Sequence, residues 1–192
     1  MKNKIQKTFF LILLTTISLN VKAQNSSIQD EIKNYTNLGF NLFLKKECDL
    51  NLDKHTDFIV VFKPSKTKIK KGEDLIYVCV FIDNIKNFKT FESGGIVYPN
   101  TNTLAEGLQE IAIKNNYFTF EQQITSGRDF FEYEYTTFKY DLKKKKIFLH
   151  RYSLSKVFTN SKKDVSKNFT FKNFGVIEFN SFEMNELKEI LN

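Results

Sequence analysis

From residue 58 onward the sequence is a succession of short runs in which apolar and polar residues alternate, and this period of two most restricts the fold. Successive side chains of a strand point to opposite faces, so such runs predict half-buried β-strands. The predicted strands are Phe58–Lys63, Leu75–Asp83, Gly95–Tyr98, Leu108–Lys114, Tyr117–Ile124, Asp129–Asp141, Ile147–Leu154 and Phe169–Phe179. The 21 Phe and 8 Tyr of the chain agree with this interpretation, because aromatic side chains pack well on a pleated surface.

Turn-forming residues, such as Asn115-Asn116, separate the runs and favour hairpins between neighbouring strands. Helical spacing of apolar residues occurs at both ends of this region. It predicts one helix from Ser27 to Lys46 and a second after Asn180, which with Glu183 forms a capping box. The sequence therefore predicts an α+β fold, mainly β: an antiparallel sheet built from sequential hairpins, with an N-terminal and a C-terminal helix packed on it.

The first 23 residues have the pattern of a secretory signal peptide. Three early lysines precede the apolar run Phe9–Leu19, and small residues at Val21 and Ala23 predict cleavage before Gln24. The run is too short to anchor the chain permanently in a bilayer about 30 Å thick. We therefore expect a periplasmic or secreted protein with no stable membrane insertion after cleavage.

The mature chain, residues 24–192, is predicted to be a single mainly-β domain. The full sequence carries 29 basic and 22 acidic residues, but the signal peptide takes four lysines and no acid, so 25 bases and 22 acids remain. This small excess gives no concentrated basic footprint and argues against a nucleic-acid partner. In an oxidising compartment Cys48 and Cys79 either form a disulfide or remain two buried thiols, and the sequence leaves both open.

Oxygen-bearing side chains recur at every second position just before the strand that begins at Phe58. Asp49, Asn51, Asp53 and Asp57 occupy relative positions one, three, five and nine of this loop, and the backbone carbonyl of His55 occupies position seven. A Ca²⁺ ion takes six to eight oxygen ligands, and a loop winding around it presents alternate residues inward. The sequence therefore predicts a calcium site formed by these five residues.

Residues Asp49 to Lys63 resemble the calcium loop and following strand of FG-GAP-like repeats, the modules of integrin-type β-propellers. The stretch from Tyr117 to Asp141 is similar to a hairpin in a small, mostly uncharacterised family of exported bacterial proteins that carry one such repeat. These repeats have glycine at position six, where this chain has Lys54. A positive φ is unfavourable for lysine and its ammonium repels a cation, so the resemblance implies weak calcium binding.

Three carboxylates, Glu121, Glu132 and Glu134, lie on neighbouring predicted strands, and paired acids are the chemistry of glycoside hydrolysis. Glu132 and Glu134 alternate with aromatic residues, which predicts a solvated face for the two carboxylates. Phe118 and Phe120 are expected to face the interior instead.

The sequence thus favours an exported, non-catalytic binding or interaction module with a weak structural calcium loop and a protein or glycan ligand. Two alternatives stay open. One is an accessory hydrolase that uses the carboxylates of the 117–141 hairpin, and the other is an inhibitor or immunity-type protein directed against a secreted enzyme.

Overall fold

The structure is a computed structural model of the 192-residue chain. It describes residues 28–71, 74–84, 88–98, 106–126, 128–160 and 162–191. The predicted signal peptide and the cleavage point before Gln24 lie outside these residues and stay predictions. The chain divides into two compact units, Met1–Asn41 and Leu42–Asn192. The prediction of a single domain over residues 24–192 also stays a prediction.

In the first unit, helix α1 covers residues 28–37. The predicted helix from Ser27 to Lys46 is wrong beyond this point, because the chain turns at Gly39 and continues as strand β1, Phe40–Cys48. Gly39 has a φ of 87°, a left-handed conformation that glycine adopts readily and that no α-helix continues through. The prediction failed because apolar residues continue at helical spacing beyond Gly39, although this glycine ends the helix.

Four strands form the first sheet, in the order β1-β2-β3-β4. They are β1, β2 (Asp57–Pro64), β3 (Tyr77–Asp83) and β4 (Phe88–Ser93). The first and second predicted strands are confirmed as β2 and β3, which pair antiparallel, and the short helix α2 (Lys66–Ile69) lies in the connection between them. Strand β4 was not predicted. The predicted strand Gly95–Tyr98 is wrong, since this segment contributes one isolated bridge, from Gly95 to Glu183.

Five strands form the second sheet, each paired antiparallel with the next in chain order. They are β5 (Gly107–Lys114), β6 (Tyr117–Ser126), β7 (Phe130–Asp141), β8 (Lys146–Phe158) and β9 (Val165–Thr170). This meander confirms the sequential hairpins and the mainly-β class, but the strands form two sheets where one was expected. The last predicted strand is wrong, because the chain leaves the sheet after Thr170 and forms helix α3, Phe171–Phe174.

The core of the second unit lies between the two sheets. The predicted inward face of β6 is confirmed, since Phe118 and Phe120 are fully buried. The rings of Phe91 on β4 and Tyr140 on β7 meet edge to face with centroids 6.3 Å apart, so the two sheets share one core. Sequence alternation thus placed the correct residues inside without showing that a second sheet covers them.

The C-terminal segment closes this core. A 3₁₀ turn, Phe179–Ser181, precedes helix α4, Met184–Leu191, which buries Met184 and Leu187. The helix begins later than the predicted cap at Asn180, because the first bond into it runs from the Leu187 N–H to the Glu183 carbonyl, 3.1 Å away. Among the described residues, no helix has both the length and the apolar character needed to cross a membrane.

Candidate functional site

The predicted calcium loop connects β1 to β2, and its side-chain oxygens turn toward its own backbone. The Asp49 carboxylate accepts hydrogen bonds from the N–H groups of Asp53 and Lys54, both at 3.0 Å. Asp53 accepts from the His55 N–H at 2.8 Å and from the Asn51 side-chain amide at 2.7 Å. The oxygens at positions one, three and five therefore lie close together.

The backbone of this loop contains two non-glycine residues with positive φ. Lys54 has a φ of 70° and Leu52 has a φ of 60°, so the chain turns sharply at position six although no glycine is present there. A non-glycine residue in this region is unfavourable by about 1 kcal/mol. The loop keeps the turn because the Asp49 and Asp53 carboxylates bind the N–H groups on both sides of it.

Asp57 differs from the other predicted ligands, because it is fully buried at the start of β2. One carboxylate oxygen accepts from the N–H of Leu50 at 2.7 Å and of Asn51 at 3.3 Å, and the other accepts from the N–H of Asp83 at 2.8 Å. Burial raises the pKa of Asp57 to about 6, and these backbone bonds oppose the shift. Asp57 thus joins the loop to the end of β3.

Within the described ranges, no three His, Cys, Asp or Glu side chains are placed to hold a metal ion together. The predicted calcium set also draws on the Asn51 amide and the His55 carbonyl, which are oxygen donors of other kinds. The His55 imidazole lies 3.9 Å from the Asp83 carboxylate, measured from Nδ1 to Oδ2. Calcium binding by Asp49, Asn51, Asp53, His55 and Asp57 therefore stays a prediction.

The two cysteines are separate thiols. Cys79 lies in the middle of β3 opposite Val60, as the predicted hairpin requires, and is fully buried. Burial raises the pKa of the half-buried Cys48 thiol to about 12, with a further contribution from the Asp57 and Asp49 carboxylates. A thiol held protonated in this way is a poor nucleophile at neutral pH.

The three carboxylates singled out in the sequence do not converge. Glu121 pairs across strands with Tyr135, on the face of the second sheet opposite to Phe118 and Phe120. Glu132 and Glu134 share the inner face of β7 and line one cavity. A hydrolase site that uses all three carboxylates is therefore not formed.

Glu134 also corrects the prediction of a solvated face. Its residue pair across β6 is Gln122, which lies on the same face as the buried Phe118 and Phe120, and Glu134 is itself fully buried. The aromatic residues that alternate with it lie on the outer face of the sheet. Alternate residues of a strand share a face, and Glu134 lies an even number of residues from Phe138, which is buried. The sequence spacing was therefore consistent with a buried Glu134.

A cavity of about 490 Å³ lies between the inner face of the second sheet and helix α4, and we call it the α4 cavity. Its walls include three rows of residues paired across β7, β8 and β9. These rows are Tyr152 and Phe169; Glu134, Leu154 and Lys167; and Glu132, Lys156 and Val165. Ile124 of β6, Ser155 of β8, and Lys188 and Leu191 of α4 complete the lining. Aliphatic and aromatic side chains thus surround a few charged groups.

The floor of the α4 cavity contains the buried Glu134 carboxylate. Its Oε1 accepts from the Tyr152 hydroxyl at 2.8 Å and is paired with the Lys188 ammonium at 2.6 Å. Burial, and then the charge of Glu134, raise the pKa of Tyr152 far above its usual value. The second oxygen, Oε2, is also buried.

A segment from the other side of the core is tethered over this floor. The buried Gln122 amide accepts from the Tyr98 N–H at 2.9 Å and donates to the Ile96 carbonyl at 2.8 Å. Tyr98 then lies beside Lys188, whose ammonium is 5.0 Å from the centre of the ring. Burial, and then the charge of the neighbouring Glu134 carboxylate and a hydrogen bond to it, raise the pKa of the Tyr98 hydroxyl.

The rim of the α4 cavity carries an excess of positive charge. Lys156 pairs with Glu132 at 3.3 Å, and Lys188 is already paired with Glu134. Lys167, exposed on the edge strand β9, forms no ion pair with any described residue. The cavity can therefore offer one uncompensated ammonium at its mouth and apolar walls below it.

Comparison with known proteins gives no relative from which a role could be inferred. No family model matches the chain, and neither a curated protein nor a solved structure matches it. Function is therefore inferred from the α4 cavity and the predicted calcium loop.

Proposed function

We propose that this chain is an exported, non-catalytic binding module that holds a small amphipathic anion in the α4 cavity. The observation that carries the proposal is an apolar cavity of about 490 Å³ beside a free ammonium group. Ligand sites in proteins are concave, mostly apolar, and carry a few polar groups that fix the orientation of the ligand. Export is supported by the sequence of residues 1–23, which has the pattern of a signal peptide.

The charged side chains that line the cavity indicate the sign of the charge that a ligand carries. Two carboxylates and three ammonium groups line it, so one positive charge stays uncompensated when each acid is paired. An anionic group at the mouth would meet Lys167, while an alkyl body would cover Leu154, Phe169 and Leu191. A cationic ligand would add a second uncompensated charge of the same sign.

Decanoate combines a carboxylate with an apolar chain and is a suitable probe. We expect calorimetric titration of the protein with decanoate to show saturable binding with a Kd of about 100 µM or lower. Decyltrimethylammonium, which has the same chain and the opposite charge, should bind at least about tenfold more weakly because Lys167 repels it. An absence of saturable binding by decanoate would contradict the proposal.

Two variants of the edge strand locate this binding. Val165→Trp adds a large ring on the cavity face of β9 and should abolish decanoate binding, while Ser166→Trp adds the same ring on the opposite face and should leave it unchanged. Lys167→Gln should weaken binding about fivefold, and Lys172→Gln, an exposed lysine of α3, should not. Equal binding by both tryptophan variants would place the probe elsewhere.

The calcium loop is a second candidate function, and the positive φ of Lys54 supports it. The loop adopts the sharp turn of a calcium loop at the position where a lysine makes that turn unfavourable. Extracellular calcium modules work with dissociation constants of about 10⁻⁴–10⁻³ M, and a loop with lysine at this position fits that range. We infer a weak, structural Ca²⁺ ion bound through Asp49, Asn51, Asp53 and the His55 carbonyl, with Asp57 bracing the loop.

Thermal unfolding tests this inference directly. Calcium at about 10 mM should raise the Tm by about 3–10 °C, because an ion that binds only the folded chain stabilises it by mass action. Asp53→Ala should abolish the response, and Asp74→Ala, an exposed acid outside the loop, should retain it. Lys54→Gly should enlarge the response, since glycine adopts positive φ readily and the repelling charge is gone. A wild-type Tm that neither calcium nor EGTA changes would refute calcium binding.

A further inference from the structure

Strand β9 forms an open edge of the second sheet. It is the last strand in the order β5-β6-β7-β8-β9 and, in the described part of the chain, pairs with β8 alone. Residues of an antiparallel strand direct their N–H and C=O groups alternately to its two sides, so every second residue of β9 directs both groups away from β8. Residues 165–168 are exposed, so solvent reaches these groups. An edge of this kind can pair with a further strand.

This edge lacks most of the features that keep edge strands from pairing. Strand β9 contains no proline, and its register with β8 is continuous from Val165 to Thr170, so no bulge bends it away. Its one charged residue is Lys167, which lies between Val165 and Phe169 on the face that lines the α4 cavity. The Val165 side chain is 51% exposed. An added strand would therefore meet two apolar side chains and one ammonium group between them.

The cross-strand rows of the sheet determine what the added strand must carry. Residues directly opposite each other share a face, and their Cβ atoms are about 5 Å apart. The row that ends at Lys167 would continue into the added strand, and Lys167 forms no ion pair with a described residue. An acidic side chain opposite Lys167 is favourable and a basic one is unfavourable. The rows that end at Val165 and Phe169 favour apolar side chains two residues before and after the acid.

We propose that β9 is a docking edge for an extended peptide segment of a partner protein, which adds antiparallel to β9 with the pattern apolar-x-acidic-x-apolar. Main-chain hydrogen bonds to β9 supply the affinity, and the alternate side chains supply the specificity. The inference goes beyond ligand binding in the α4 cavity, because the pairing surface is the backbone of an exposed strand. A second copy of this chain, paired through its own β9, is a poorer match: none of the six residues of β9 is acidic, so it brings no carboxylate to Lys167.

A short peptide with this pattern is a suitable probe. It has the sequence Thr-Val-Thr-Glu-Thr-Val-Thr, with the N-terminus acetylated and the C-terminus amidated. We expect calorimetric titration to show saturable binding with a Kd of about 100 µM or lower. The matched peptide with lysine in place of glutamate should bind about fivefold more weakly, because it places two ammonium groups opposite each other. An absence of saturable binding by the glutamate peptide would contradict the proposal.

N-methylation of the glutamate peptide separates strand pairing from the binding of side chains alone. One derivative carries N-methyl groups on the valines and the glutamate, and the other carries them on the threonines. Only alternate N–H groups of an added strand face β9, so one derivative should lose binding and the other should stay within about threefold of the parent peptide. Equal effects of the two derivatives would overturn the proposal, since insertion of side chains without main-chain pairing does not distinguish them.

The variant Lys167→Glu assigns the specificity to this residue. With the charge reversed, the protein should prefer the lysine peptide by about fivefold, the opposite of wild type. Lys172→Glu changes an exposed lysine of α3 and should keep the wild-type preference. Thermal melts establish that both variants fold, and where Lys167→Glu does not, Lys167→Gln should reduce the preference to about twofold or less. A wild-type preference in a folded Lys167 variant would overturn the assignment to β9.

Two further measurements separate this inference from its alternatives. Decanoate is titrated into the same protein, and decanoate binding without peptide binding would refute strand addition while ligand binding in the α4 cavity stands. Peptide binding without decanoate binding would have the reverse meaning. Sedimentation of the free protein should show a monomer. A dimer that the glutamate peptide dissociates would mean that a second copy occupies β9, and the peptide assignment would fall.

Discussion

Replacing Phe138 with alanine should lower the free energy of unfolding by about 4–5 kcal/mol and the Tm by about 10–15 °C. The Phe138 ring is fully buried and lies at the centre of an aromatic cluster. Its centroid is 5.6 Å from that of Phe118, 5.0 Å from that of Phe179 and 5.2 Å from that of Phe182. The substitution removes these contacts from β7 to β6 and to the C-terminal segment at once, and a close-packed core relaxes only partly around the cavity that is left.

Equilibrium unfolding in urea measures this loss, and the adjacent residue supplies the control. Lys139 lies on the outer face of β7, where its ammonium is 5.1 Å from the centre of the Tyr117 ring. Lys139→Ala should change the free energy of unfolding by less than about 1 kcal/mol. Similar losses from the two substitutions would mean that the faces of β7 have been assigned the wrong way round.

Strand parity is the part of the fold that the sequence predicts well. A strand has only two faces, so Phe118 and Phe120 had to lie on one side, and both are buried. The number of sheets was not predictable in this way, because no local signal shows that β4 and β5, which are neighbours in the chain, belong to different sheets. The segment from Phe40 to Cys48 shows the same limit, since its helical spacing was overridden when Gly39 turned the chain and β2 provided a pairing edge.

The two parts of the candidate site also differ in how well the sequence predicts them. The calcium loop could be proposed from the sequence because all its predicted ligands lie within nine consecutive residues, where spacing alone carries the information. The α4 cavity was missed because its polar floor joins Glu134, Tyr152 and Lys188 from three separate elements. Because Glu134 alternates with aromatic residues, the sequence predicted a solvent-exposed side chain. Glu134 lies four residues from Phe138, so the two side chains are on the same, buried face of β7. A charged residue on the core side of a strand is the signal to search for.

Asp57 provides the second large expected effect, because it separates the architecture of the calcium loop from its metal binding. In buffer containing EGTA, Asp57→Ala should lower the free energy of unfolding by about 3–4 kcal/mol. Its carboxylate is the acceptor for three backbone N–H groups, those of Leu50, Asn51 and Asp83. Leu50 and Asp83 are almost fully buried, so water cannot replace the lost acceptor at these two sites.

The expected loss of unfolding free energy in Asp57→Ala is a balance of two opposing effects. Each buried donor left without a partner is unfavourable by about 1–3 kcal/mol, while removal of a carboxylate that is itself unfavourably buried returns part of this. The raised pKa of Asp57 shows that the second effect is present, and we expect the buried N–H groups of Leu50 and Asp83, left without an acceptor, to outweigh it. Asp53→Ala is the matched comparison: Asp53 is exposed, so without calcium its loss should lower the free energy of unfolding by no more than about 1 kcal/mol. Urea unfolding curves for both variants in EGTA decide the point, because equal losses would show that Asp57 is one loop carboxylate among several and does not tie the loop to β3.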